Sequence, residues 1–115
     1  MSLTQVLDSL AGYARDHGDD IVVRVRSRWI SVSSKKAEKI FAELRPSKER
    51  IEIFLLPPPK ELGNGALVSR PPPSQGWGWF RSKLYIKGDM KSALRLLRIS
   101  YIFVIRGDGR RSKRR

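Results

Sequence analysis

The chain contains no cysteine. Disulfides, thiol catalysis and cysteine-ligated zinc are therefore excluded. Histidine is almost as scarce, with His17 the single example. One imidazole builds a zinc site only together with several carboxylates, and no carboxylate cluster carrying a second histidine occurs. His17 stands beside Gly18 at the expected end of a helix, where a lone imidazole serves as a partner for the helix dipole. No run of about 18 apolar residues exists, so no membrane-spanning helix is expected. The opening stretch MSLTQVLDSLAGYARDHGDD lacks a basic segment and ends in acids, unlike a secretory leader. These absences lead us to expect a cytoplasmic protein without a membrane partner. The glycine patterns that cradle phosphates are missing as well: there is no G-x-x-x-x-G-K and no G-x-G-x-x-G, and Gly63-Asn64-Gly65 reads as a turn.

Acids are few beside bases. Eleven Asp and Glu face 24 Lys and Arg, for a net charge of +13 over 115 residues. The segment RGDGRRSKRR at 106–115 supplies +5 of this, which leaves +8 on the preceding 105 residues. The excess therefore belongs to the body of the protein and not just to its tail. A basic surface attracts nucleic acid, acidic proteins and anionic lipid. The tail has no apolar residue to bury and reads as a disordered basic arm, and its RGD at 106–108 carries no meaning in an intracellular chain. A length of 115 residues points to one domain, expected over 1–105. A chain of this size buries about two-thirds of its unfolded surface, enough for one core.

Leu3, Val6, Leu7, Leu10 and Ala14 fall on one helical stripe. Ser2 and Gln5 fit a capping box and Gly18 a stop, which predicts a helix over 3–16. DDIVVRVRSRWISVSS is rich in β-branched residues and predicts strands at 20–26 and 28–33, joined tightly near Ser27. SSKKAEKIFAELRPSK reads two ways. Ala37, Ile40, Phe41 and Leu44 have helical spacing, whereas Ile40, Ala42 and Leu44 alternate as in a strand; periodicity favours a short helix. ERIEIFLL at 49–56 alternates clearly and is ended by Pro57. Residues 57–78 form a long irregular Pro/Gly segment bracketed by two proline triplets, a length that marks a loop with a function or a disordered one. RSKLYIK at 81–87 is a further strand. Asp89 can cap a final helix running to about 104. Met90, Ala93, Leu94, Leu97, Tyr101 and Val104 form its core stripe, and Leu96, Ile99, Ile102 and Phe103 widen the apolar surface. The expected fold is α+β: an N-terminal helix, an antiparallel sheet of about five strands, a long Pro/Gly loop and a C-terminal helix packed on the sheet.

WISV, IFAELRPSKERIEIFLLP, GWGWFRSKLYIKGD and ALRLLRISYIFV occur in this order. Over about residues 20–104 the chain resembles a small domain of unknown function. That domain often sits at the C-terminal end of predicted restriction-type nucleases and related genome-defence proteins, and it also occurs alone. The most specific matches are Phe41 and Pro46, the Trp77–Gly78 pair, and Leu96, Leu97, Ser100 and Tyr101. The resemblance implies a strand at 40–45 with 34–39 as its connecting turn, against the helix that periodicity favours. The family usually shows a histidine before that tryptophan and an Asn-Gly pair after the glycine. Here those places hold Gly76, Trp79 and Phe80, so a polar role for the histidine does not carry over.

A magnesium-dependent nuclease needs carboxylates beside the scissile phosphate. Restriction-type enzymes use an Asp followed by Glu-x-Lys on a strand. Asp19 and Asp20 precede a strand, but the nearest approach to the second half is Glu43-Leu44-Arg45. Asp19 and Asp20 read instead as a solvated turn. A noncatalytic chain without cofactor or metal is expected.

A binding module fits the pattern better. If Ile21, Val23, Val25, Ile30, Val32, Ile51, Ile53, Leu84 and Ile86 face the core, alternation puts Arg24, Arg26, Trp29, Ser31, Phe54, Lys83, Tyr85 and Lys87 on the other face of the sheet. Basic groups meet phosphates and rings stack on bases, with Glu52 the dissenting charge. A second helix over that face would instead make Trp29 and Phe54 core. The candidate nucleic-acid contacts, for DNA or RNA, are Arg24, Arg26, Arg28, Trp29, Lys83, Tyr85 and Lys87, with Arg110, Arg111, Lys113, Arg114 and Arg115 in the tail. Trp77 is expected to anchor the loop on the core, while Trp79 and Phe80 are candidates for a contact surface. The expected function is electrostatic, weakly sequence-specific nucleic-acid binding. The alternative is a protein-interaction or homodimerisation module built on the last helix and the Trp-rich loop.

Overall fold

The computed structural model describes residues 3–26, 29–47, 49–62, 80–87 and 90–106. Helix α1 spans Leu3–Asp16 and buries Val6, Leu10 and Tyr13, three or four residues apart as one helical face requires. It stops where Gly18 takes a φ of +64°, a left-handed conformation that side-chain-bearing residues resist. His17 closes the end: its Nδ1 donates to the Tyr13 carbonyl at 3.0 Å.

Five strands follow in an antiparallel sheet of order β1-β2-β3-β4-β5, each paired with its sequence neighbours. They are β1 (Ile21–Val25), β2 (Ile30–Ser34), β3 (Lys39–Pro46), β4 (Ile51–Leu55) and β5 (Ser82–Ile86). The Arg26 amide donates to the Trp29 carbonyl at 2.7 Å, which continues the β1–β2 pairing past Val25 and Ile30, while Ser27, where the tight join is expected, lies outside the described residues. Pro59–Leu62 form a short 3-10 turn after β4. Helix α2 (Lys91–Ile105) lies across β3 and β4, and α1 lies over β1 and against α2. Both helices therefore cover one face of the sheet. The fold is the α+β arrangement expected from the sequence.

The helix expected from periodicity at 34–45 is a strand, preceded by a turn over 35–38. A β-bulge explains the misreading. Val32 pairs with Ala42 and Ser33 with Ile40, so Phe41 is the extra residue. Phe41 and Ala42 are then both fully buried. Two inward residues in succession break the two-residue period and imitate helical spacing. The Phe41 carbonyl, out of the ladder register, accepts the Ser100 hydroxyl at 2.7 Å. Ser100 Oγ also accepts the Leu56 amide at 3.3 Å, so one buried serine ties α2 to two strands.

That serine shifts the α2 core face from the expected stripe. Ala93, Leu96, Leu97, Ser100, Phe103 and Val104 are buried, whereas Leu94 and Tyr101 are half-buried. Met90 occupies the N-cap position and makes no side-chain cap hydrogen bond, while Asp89, expected as the cap, lies outside the described residues. On the sheet, Val25 was expected to face the core. It points to the helix side by register but is 53% exposed, because it lies at the end of an edge strand beyond the helices.

Asp20 is the main polar anchor. Its Oδ2 accepts the Ser34 hydroxyl at 2.8 Å and the Tyr101 hydroxyl at 2.7 Å, and its Oδ1 accepts the Lys36 amide at 2.7 Å. The expected solvated turn therefore holds for exposed Asp19 but not for Asp20, which is 5% exposed. Burial pushes the Asp20 pKa up, but these three hydrogen bonds and the Lys36 charge outweigh it and hold the carboxyl below its usual range. Burial and the Asp20 hydrogen bond push the Tyr101 hydroxyl up to about 12. Among the described residues, no helix is long and apolar enough to cross a membrane.

Candidate nucleic-acid interface

Residues directly opposite on antiparallel strands point to the same face. The register therefore maps the side of the sheet away from the helices. Arg24 lies opposite Ser31, Ser31 opposite Glu43, Glu43 opposite Phe54, and Phe54 opposite Lys83. A second row runs through Arg45, Glu52 and Tyr85. Arg24 and Lys83 thus stand on opposite edge strands, four strand spacings or about 19 Å apart. No helix among the described residues packs on this face.

The centre of the face is built from rings and guanidinium. Arg45 Nε donates to Glu43 Oε2 at 2.8 Å. So held, the Arg45 guanidinium carbon lies 4.8 Å from the Phe54 ring centroid and 5.5 Å from that of Trp29. These are cation–π distances. Glu43 is 1% exposed, so a carboxylate sits sealed beneath its own arginine. Toward β5, the Lys83 ammonium meets Glu52 at 2.9 Å. The Glu52 hydrogen bond holds the Lys83 pKa above its usual range. Arg50 lies 3.8 Å over the Tyr85 ring, and Tyr85 is 43% exposed.

The expected site residues fall into three groups. Arg24, Arg26 and Lys87 are exposed and make no ion pair among the described residues, while Tyr85 is exposed and Trp29 half-buried. Lys83 is present on the face but already engaged by Glu52. Arg28, Trp79, Arg110, Arg111, Lys113, Arg114 and Arg115 lie outside the described residues, as do Trp77, most of the Pro/Gly loop and all but Arg106 of the tail.

Two ring assignments need correction. Phe54, put on the open face by alternation with the core as the alternative, is fully buried, and Phe80, a candidate for a contact surface, is 4% exposed. Their ring centroids are 6.1 Å apart, so the two pack on each other and serve the core. Three participants escaped the sequence reading: Glu43, Arg45 and Arg50. Treating 40–45 as a strand was enough to place Glu43 and Arg45 on the same face as Phe54, two residues apart. Arg50 had no such signal, because it lies in the connection before β4 and reaches Tyr85 only through the β4–β5 pairing.

No family model, curated protein or solved structure matches the chain.

Proposed function

We propose that this protein is a noncatalytic nucleic-acid-binding domain that uses the helix-free face of its sheet. The observation that carries the reading is the alternation of cations and rings across that face: Arg24, Trp29, Arg45, Arg50, Tyr85 and Lys83. Guanidinium and ammonium groups neutralise phosphates, and partly exposed rings offer planes to unpaired bases. Glu43 does not oppose an approaching strand, because it is buried and paired. The overall charge of +13 supplies long-range attraction. Binding of this kind is electrostatic and weakly sequence-specific, and the basic residues at 110–115 add to it. An accessory role beside a separately encoded nuclease is the biological setting that the sequence resemblance implies.

The test is a gel-shift panel of single- and double-stranded DNA and RNA at two salt concentrations. Single strands should bind best, and affinity should fall steeply with salt. Equal and salt-insensitive binding of all four, or none, refutes the proposal.

One observation favours a second reading. Ile102 and Ile105 on α2 are 42% and 39% exposed. Together they offer an apolar contact for a second copy or a protein partner. Dimerisation that persists at high salt would support it over the first.

A further inference from the structure

A groove of about 720 Å³ runs between α1 and α2, on the opposite side of the molecule from the basic sheet face. That volume lies within the ordinary range for small-molecule sites, about 300–1,000 Å³. Arg15 enters it from α1, and Arg95 and Arg98 enter from α2; Asp8 and Asp16 also line it. No ion pair joins these five among the described residues. The guanidiniums thus outnumber the carboxylates and are not consumed by them.

The second observation is Tyr13, which lines the same groove. It is 7% exposed, and its hydroxyl is the one buried side-chain polar atom among the described residues that makes no hydrogen bond. Buried hydroxyls are nearly always satisfied, because an orphan forfeits its hydration for nothing. Neighbouring His17 does not serve it: that imidazole donates to the Tyr13 carbonyl and packs, tilted and edge-on, against the Tyr13 and Tyr101 rings at 4.5 and 4.9 Å. Burial raises the Tyr13 pKa, so the hydroxyl remains an intact donor at neutral pH.

We propose that the α1–α2 groove binds a small phosphate-bearing anion, up to the size of a mononucleotide, through Arg95, Arg98 and the Tyr13 hydroxyl. In the proposed complex Arg98, exposed and without a carboxylate partner among the described residues, swings onto the phosphate, and the Tyr13 hydroxyl turns to donate to it. The site is independent of the sheet face, so it stands even if that face binds no nucleic acid.

The experiment is thermal unfolding of the full chain with inorganic phosphate and with adenosine 5′-monophosphate, each against chloride at matched ionic strength. A saturable rise in Tm of about 5 °C or more is expected from the nucleotide at a hundredfold excess over Kd. Arg98→Gln and Tyr13→Phe should each weaken binding about tenfold or more, as loss of a hydrogen bond to a charged group does. Without ligand, Tyr13→Phe should keep or raise the Tm, since it deletes an unsatisfied group and retains the ring. Phosphate acting alone would assign the site to a free phosphate ion, and the nucleotide acting more strongly would assign it to a phosphomonoester. A rise matched by chloride, or one that survives both substitutions, overturns the proposal.

Discussion

Asp20→Ala removes the acceptor for three hydrogen bonds at 2.7–2.8 Å, from Lys36, Ser34 and Tyr101. Each bond to a charged group contributes about 1.5–3 kcal/mol net. The full sum is not lost, because Tyr101 is only half-buried and its hydroxyl can turn to water. The Lys36 amide is also near the surface, whereas the Ser34 hydroxyl is buried and would be stranded. The expected loss is about 3–5 kcal/mol, from the stranded Ser34 hydroxyl together with part of the value of the two charge-assisted bonds that water can replace. A domain of this length has a total stability of about 6–17 kcal/mol, so the variant folds marginally and its Tm falls by roughly 12–20 °C.

Urea denaturation with an unchanged m-value measures the loss. The pH dependence supplies an internal control. The folded Asp20 pKa is depressed, so its stabilisation is fully present above the unfolded value near 3.9 and is lost as pH falls through the lower folded value. The gap between wild type and variant should therefore narrow as pH falls below the unfolded value toward the lower folded one. The Tyr101 pKa is raised from 10.0 to about 12, so its contribution is intact below pH 10 and drains away between 10 and 12. Tyr101→Phe alone should cost about 1–2 kcal/mol. It should be clearly less harmful in the Asp20→Ala background, because the two share one bond. A loss below about 1 kcal/mol for Asp20→Ala, or strict additivity of the pair, refutes the anchoring role.

Ser100→Ala deletes a fully buried hydroxyl that serves both the Phe41 carbonyl and the Leu56 amide, and should lower stability by about 2–3 kcal/mol in the same denaturation assay. Arg45→Ala exposes the charge problem it conceals. The Glu43 carboxylate would remain buried without its guanidinium, costing about 2–4 kcal/mol, and Glu43→Gln in the same chain should recover part of that loss. For nucleic acid, Arg24→Ala with Arg50→Ala should reduce the slope of log affinity against log salt by about 0.7–0.9 for each phosphate contact removed, with no fall in Tm. Deleting 110–115 should flatten the slope further and leave the melting temperature unchanged.

How far the fold was legible depends on whether alternation was uninterrupted. In β1, β4 and β5 the inward residues Ile21, Val23 and Val25, Ile51, Ile53 and Leu55, and Leu84 and Ile86 alternate as a strand requires, and the strands and their core faces follow directly. In β3 the bulge at Phe41 interrupts the period, and local sequence cannot announce it, since it arises from pairing with β2. The same limit applies to α2. Its hydrophobic residues are spread so widely that only the hydrogen bonds of Ser100 to β3 and β4 fix which ones face inward. Phe54 and Phe80 were misassigned for a related reason. Phe54 alternates away from the helices and Phe80 precedes its strand, and only their mutual contact shows that both rings join the core. Charge was the most readable feature, because a cation on an edge strand needs no partner to be placed.

The buried polar groups themselves separate scaffold from surface. On the helix side, Asp20, Ser34, Ser82 and Ser100 all bond at least one backbone group, from Lys36 to Pro57, Phe41 and Leu56. Backbone partners cannot be exchanged without unfolding, so these residues hold the domain together and offer nothing to a ligand. On the helix-free face, the pairs Glu52–Lys83 and Arg50–Tyr85 join side chain to side chain at partly exposed positions. Such pairs contribute little to stability, about 0–1 kcal/mol, and a phosphate or a base can replace either partner at small cost. A surface of exchangeable partners, carrying Arg24, Arg26 and Lys87 without an ion pair among the described residues, is one on which an anionic strand can displace existing contacts without disturbing the core. That asymmetry supports the sheet face for the proposed nucleic-acid binding, and the orphan hydroxyl of Tyr13 is the exception on the helix side on which the proposed anion site rests.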